Sequence, residues 1–160
     1  MTRLLGIDLG TRRIGIALGD LATGSITPLR TIRRADVERD ARTLARLVAE
    51  QRIDELVVGL PLNMDGSSGA QAGATREWAA AVAGLCELPL VLRDERLTTE
   101  DAMARLGRPS RGRSGGPPSA DARRSYRARL DRLAAAAILQ AEMDARRAAS
   151  ESEHLSEAGR

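Results

Sequence analysis

Apolar positions along this chain gather into short dense runs and into longer stretches with helical spacing. Residues 3–9 and 13–19 are dense and brief, and glycines separate them from a three-residue turn, so they read as a β-hairpin. Ser25 to Arg33 alternates more loosely, through Ile26, Leu29 and Ile32, and predicts a third strand; Pro28 argues that it lies at an edge. Val37, Ala41, Leu44 and Val48 recur at helical spacing behind Asp36, a good N-cap. Residues 53–59 and 88–93 predict two further short strands, with a loop over 60–67 and a helix over 69–83 that carries Arg76 and Trp78. Thr98 or Thr99 caps another predicted helix, with Glu100 and Asp101 favourable in its first turn. Residues 107–118 hold too much Gly, Pro and Ser for regular structure and read as a long, flexible, basic loop. Segment 119–128 is open between helix and loop, 130–147 is an alanine-rich helix, and residues 149–160 read as a disordered polar tail.

The order is three strands, helix, strand, helix, strand, helix, loop, helix. A three-stranded antiparallel meander followed by βαβαβ gives an α/β class with a mixed sheet covered by helices. At 160 residues this is one domain over 1–148, large enough to fold without disulfides or metal. The only cysteine, Cys86, cannot pair within the chain and reads as a small core residue, which suits a reducing cytoplasm. There is neither a signal peptide nor an apolar run of about 18 residues, so a cytoplasmic protein with no membrane partner is expected. His154 stands in the tail with no Cys or His near it, so it is not a metal ligand candidate.

Composition adds two constraints. Aromatic residues are only Trp78 and Tyr126, which nearly closes the route of stacking single-stranded bases on aromatic rings. All 25 basic residues are arginine, which forks to phosphate and stays charged when partly buried. Nine of them lie between Met103 and Arg132 against two aspartates, and Arg111, Arg113, Arg123 and Arg124 are the candidates for gripping a nucleic-acid backbone. The plain alternative is a solvated charge run.

Three carboxylates are the candidate chemistry. Asp8 ends the first strand between glycine-bearing segments, in the middle of the sheet, where a buried acid needs a cation or metal to offset its desolvation. Glu95 follows the last strand, and alternation puts it on one face with Val91 and Arg93 while Asp94 points away. A solvated loop acid paired with Arg96 is the alternative. Asp131 shares a helix face with Ala134, Ala135 and Ile138, the face that should pack on the sheet, although a helix-start aspartate favoured by the macrodipole would look the same. Three such acids brought together repel, and at least one should carry a raised pKa. A hard cation, Mg²⁺ or Mn²⁺, relieves the repulsion, and a pair of them can drive phosphodiester hydrolysis.

The strings Ile7-Asp8-Leu9-Gly10-Thr11, Gly59-Leu60-Pro61-Leu62-Asn63-Met64-Asp65-Gly66, Asp94-Glu95-Arg96-Leu97-Thr98-Thr99 and Leu130-Asp131-Arg132-Leu133-Ala134 resemble the YqgF family, also called RuvX. The resemblance runs from about Leu4 to Glu142. It implies an RNase H-like sheet of order 3-2-1-4-5, related to the RuvC resolvases, and an acidic cluster of Asp8, Glu95 and Asp131 that binds Mg²⁺ or Mn²⁺. It implies metal-dependent nuclease action on pre-16S ribosomal RNA in ribosome biogenesis, or on Holliday junctions in DNA recombination and repair. Ribosomal particles are then possible partners. The loop at 107–118 and the segment to Ala128 are longer than that pattern, and an acidic tail follows the last helix.

Two other functions compete. A nucleic-acid-binding assembly factor without catalysis would use the same basic region. A phosphate-binding ATPase module would use Asp8-Leu9-Gly10-Thr11 but needs a second such lobe, which 160 residues do not supply.

Overall fold

The computed structural model describes residues 2–63, 65–95, 104, 107 and 111–159. Five strands form one sheet: β1 (Arg3–Leu9), β2 (Arg13–Asp20), β3 (Ser25–Arg33), β4 (Glu55–Leu60) and β5 (Leu90–Asp94). Their spatial order is β3-β2-β1-β4-β5, the order the family resemblance implies. β1–β2 and β2–β3 are antiparallel, and β1–β4 and β4–β5 are parallel. β3 is an edge strand, which accommodates Pro28, and the register shifts opposite it between Ile16 and Ala17.

Alternation along each strand splits the core in two. Leu5, Ile7, Leu9, Ile14, Ile16, Leu56 and Val58 face α1 (Val37–Gln51) and α2 (Ala70–Cys86), where they meet Leu44, Leu47, Trp78 and Val82. Asp36 caps α1 by accepting from Arg39 N, as the sequence predicts. Buried Asp40 joins the two helices on this side: it accepts from Trp78 Nε1 at 3.1 Å and from Ala35 N at 2.8 Å. The acid is therefore hydrogen-bonded at both oxygens, the condition under which burial is tolerated.

The opposite face carries Leu4, Ala17 and Val57, interleaved with Gly6, Gly15, Gly19 and Gly59. Against it lies α3 (Ala120–Ala158), through Ala135, Ile138, Leu139 and Met143. Small residues on both surfaces bring the helix backbone onto the sheet. A Cβ at Gly6 would stand 2.9 Å from the Ala135 carbonyl, and one at Gly15 would overlap the carbonyl of Asp131. Farther along, buried Glu142 accepts from Arg93 at 2.6 and 3.0 Å and from Arg146 at 2.8 Å, and Arg146 reaches Glu55 at 2.6 Å. Burial alone would raise the Glu142 carboxyl, but the hydrogen bonds from Arg146 and Arg93 outweigh it and hold it below the usual range. This network pins α3 to β4 and β5.

Two expectations change. Segment 119–128, which the sequence leaves open, is helical from Ala120, with Ser119 as N-cap accepting from Ala122 N. The tail expected to be disordered continues the same helix to Ala158. Its polarity argues against burial, and it is exposed, but no Gly or Pro interrupts it before Gly159 and its Ala and Glu residues favour helix. The helix predicted behind Thr98 and Thr99 lies outside the described residues. Within 111–119 the chain turns at Gly112 to Gly116 and holds no regular element. None of the helices among the described residues is long and apolar enough to cross a membrane.

Candidate active site

Asp8 is placed by β1. Period-two alternation that sends Ile7 and Leu9 into the α1–α2 core turns Asp8, after Gly6, toward α3. It pairs in register with Gly15 on β2, whose missing side chain leaves room for α3 to cross there. Glu95 follows the last residue of β5, and its N–H still donates to Leu60 O of β4 at 3.2 Å. Its carboxylate lies over Gly59, where a Cβ would overlap Oε2. Asp131 comes down on the same area from α3, over Gly15.

The first two acids are in direct contact. The Asp8 and Glu95 side chains share a hydrogen bond, so one of them holds a proton. Burial pushes Asp8 up to about 6; the bond from Glu95 draws it back somewhat and the charge of Asp131 adds to the rise. Glu95 is pushed up to about 8, by burial first, then by the charge of Asp8 and its hydrogen bond, then by Asp94. Burial and the proximity of the two acids thus favour a proton held between them. Asp131 is close enough for its charge to act on Asp8, but its Oδ2 accepts from Arg13 Nε at 2.6 Å.

Thus the structure brings Asp8 and Glu95 together and sets Asp131 beside them, turned to Arg13. Among the described residues no three acidic, His or Cys side chains form a ready metal cage. The donor set nonetheless fits a hard divalent cation. All its atoms are carboxylate oxygens, and their charge is offset by a shared proton and a guanidinium, both of which a cation could replace.

Beside the acids is a cavity of about 310 Å³ lined by Gly10, Thr11, Arg12, Arg13, Arg127 and Asp131. A tight turn, Gly10 N to Arg13 O at 2.8 Å, presents the two arginines, and Arg34 braces it through Gly10 O at 3.0 Å. Thr31 Oγ1 donates to Ala128 O at 2.6 Å and fixes the start of α3 over β3. Arg12 and Arg13 are not singled out by the sequence pattern, in which 11–13 is a turn. The available signal is two consecutive arginines four and five residues after the strand-end acid. Arg111, Arg113, Arg123 and Arg124 are all on the surface; Arg123 donates to Pro118 O at 2.8 Å and Arg124 pairs with Asp121. Arg123, Arg127 and Asp131 follow one another at i, i+4 spacing, so an arginine row on α3 leads to the cavity.

The raised carboxyls have a consequence for stability. Both folded values lie above the unfolded ones, so the native state binds protons more tightly and stability is fullest at low pH. Without divalent ions, melting temperature is expected to fall as pH rises from about 4.5 to about 8. Added Mn²⁺ should raise it most at the alkaline end, where the acids are free of protons. Melting curves in EDTA and in Mn²⁺ across that range check both. A curve that rises with pH in EDTA would contradict the shared-proton pair.

Comparisons with known proteins show the family and the fold. A family model for RuvX, described as Holliday junction resolvase, matches residues 2–145. A Rhodobacter capsulatus protein named "Putative pre-16S rRNA nuclease" is 43% identical over 142 residues, covering 88% of this chain and 82% of its own length. One of the same name from Anaeromyxobacter sp. is 42% identical over 146 residues, covering 91% of this chain and 99% of its own. Among solved structures, Thermus thermophilus RuvC superposes with a TM-score of 0.53 at 14% identity, over 92% of this chain and 97% of that one. RuvC from the same organism in complex with Holliday junction substrate gives 0.51, also at 14% identity, over 91% and 96%. At that identity the likeness is one of fold, and the fold is RNase H-like. The chain belongs to the RuvX family, and the activity that membership carries is nuclease cleavage of phosphodiester bonds.

Proposed function

We propose that this protein is a metal-dependent nuclease that cleaves precursor 16S ribosomal RNA during maturation of its 5′ end, in the cytoplasm and on ribosomal particles. The observation that carries the reading is the close pair of Asp8 and Glu95 beside Asp131, which itself lines an arginine-rich cavity. Asp8, Glu95 and Asp131 would hold Mg²⁺ or Mn²⁺. Bound there, the ion would activate water and stabilise the leaving oxygen. The chain's own work is then division of labour. Asp8 on β1 and Glu95 just after β5 converge from separate parts of the sheet. The pair releases its proton when the site is loaded. The row Arg123–Arg127 and the turn arginines hold the phosphate backbone, where forked guanidinium donors suit phosphate oxygens.

The RNA substrate is favoured by the names of the curated relatives. A four-way DNA junction is the second reading, favoured by the description of the family model. One experiment separates them: single-turnover cleavage of a precursor 16S transcript and of a junction, each with Mg²⁺ or Mn²⁺. Preferential cutting of the transcript is the expected result. Cutting of the junction alone would make the protein a resolvase, and binding of RNA with no cutting of either would make it an assembly factor.

The basic segment has its own test. Changing Arg111, Arg113, Arg123 and Arg124 together to alanine should weaken RNA binding and flatten its salt dependence. The slope should drop by about 0.7–0.9 log unit for each phosphate the protein no longer neutralises. Equilibrium binding over a salt series measures it, and an unaltered slope would reduce these arginines to solvated charge.

A further inference from the structure

The ion pair within the candidate site joins two residues 118 positions apart, Arg13 and Asp131, at 2.6 Å. Their side chains are 35% and 20% exposed, so the contact is neither sealed in the core nor loose on the surface. It forms part of the wall of the 310 Å³ cavity, whose lining also includes Arg12 and Arg127. These two arginines are exposed, and among the described residues they enter no ion pair. Three guanidinium groups therefore face one space beside one carboxylate. The charge of Asp131 is offset by Arg13, the nearest of the three.

We propose that Arg13 is a placeholder cation: it neutralises Asp131 while the acids hold no metal, and on metal loading it swings into the adjoining cavity to take a substrate phosphate with Arg12 and Arg127. The inference rests on the metal-dependent nuclease reading. Arg13 Nε occupies Asp131 Oδ2 at 2.6 Å, so a divalent ion on either oxygen of that carboxylate would stand close to a second positive centre, which favours the departure of the guanidinium. Arg13 is free to leave without any backbone change. It is the first residue of β2, its main chain held by the ladder to Arg33 and by the turn to Gly10, while its side chain is tethered only at Asp131 among the described residues. The released fork then meets phosphate oxygens in a space already lined by positive charge. Ion binding and phosphate capture become coupled, each favouring the other, because both are served by the same movement of the Arg13 fork from Asp131 toward the cavity.

The test measures affinities on the full chain. Mn²⁺ binding is followed by titration calorimetry, and binding of a short RNA by fluorescence anisotropy in Ca²⁺ and in EDTA. Arg13→Gln should bind Mn²⁺ roughly ten-fold more tightly than wild type, the scale of removing a competing charge-assisted hydrogen bond. Wild type should bind RNA more tightly in Ca²⁺ than in EDTA, and Arg13→Gln should lose that gain. Arg127→Gln, which removes a cation from the same cavity without touching Asp131, should change Mn²⁺ affinity little and weaken RNA binding equally in both conditions. Should Arg13→Gln melt early, Arg13→Met, which keeps the apolar stem, reads the same quantities. Unchanged or weaker Mn²⁺ binding on removal of Arg13 would overturn the proposal and make the pair a brace for α3. Equal tightening by Arg127→Gln would overturn it too, leaving simple repulsion. A wild type that binds no Mn²⁺ would fail the metal reading itself; one that binds Mn²⁺ and cuts RNA while Arg13→Gln binds no better fails only the exchange.

Discussion

Asp8→Asn is expected to abolish cleavage while leaving the fold and the grip on RNA in place. The substitution is nearly isosteric and sits where β1 delivers its side chain toward α3, so packing is preserved. Burial is the first cause of the raised Glu95 carboxyl, and the substitution removes the next, the charge of Asp8. Glu95 should then ionise at lower pH, and the ion-free protein should be no less stable at pH about 8 than wild type. Turnover should fall by at least about 10²-fold, the scale on which loss of one preorganised electrostatic group is felt in a transition state. RNA affinity in Ca²⁺ should hold or rise slightly, because repulsion of phosphate decreases. Single-turnover cleavage in Mn²⁺ and equilibrium binding in Ca²⁺, on the same RNA, give the two readings. Cleavage at the wild-type rate would remove Asp8 from the chemistry.

Gly15→Ala tests how the site is assembled. Its Cβ would overlap the Asp131 carbonyl and lie 3.0 Å from the Asp131 Cβ. Both belong to the helix itself, and no flexible side-chain tip can move aside. α3 would have to lift from the sheet, and it carries Ala135, Ile138 and Leu139 as well as Asp131. A loss of about 3 kcal/mol is expected, at the upper end of the range for overpacking. That corresponds to a fall in melting temperature of about 10 °C for a chain of this size. Gly73→Ala is the control. Nothing lies within 4 Å of its Cβ position, and it stands on the exposed side of α2, so it should stabilise slightly by helix propensity. Calorimetric melting of the three proteins decides the matter. If Gly15→Ala melts with wild type, α3 does not rest on β2 as described.

The same glycine explains why part of the site is legible in the chain and part is not. Asp8 and Glu95 are visible because each stands at a strand end, where alternation of period two is a local property and says which face a residue takes. Asp131 is visible because it shares a helical face with Ala134, Ala135 and Ile138. The strand order along the chain, the cap at Asp36 and the edge position of β3 are likewise local, set by periodicity, by a side-chain oxygen that reaches a nearby N–H group, and by the proline at position 28. Even the length of α3 is a local matter, since no Gly or Pro interrupts it between 119 and 158; polarity suggests a disordered tail there, and helix propensity outweighs it.

The partners of these residues are decided by tertiary structure alone. Nothing near Arg13 in the chain says that it will meet Asp131, and nothing near Glu142 names Arg93, or near Arg146 names Glu55. Those pairings follow from the angle and depth at which α3 crosses the sheet, and that depth is set by glycines on three different strands that leave room for one helix. The raised carboxyls have the same origin: a strand-end acid becomes a proton-sharing one only when a second acid and a covering helix remove its water. From its own pattern the chain determines which side chains can reach each face of the sheet. Only close packing between distant segments decides which of them touch, and here the touching pairs, Asp8 with Glu95 and Arg13 with Asp131, are what set the charge of the site.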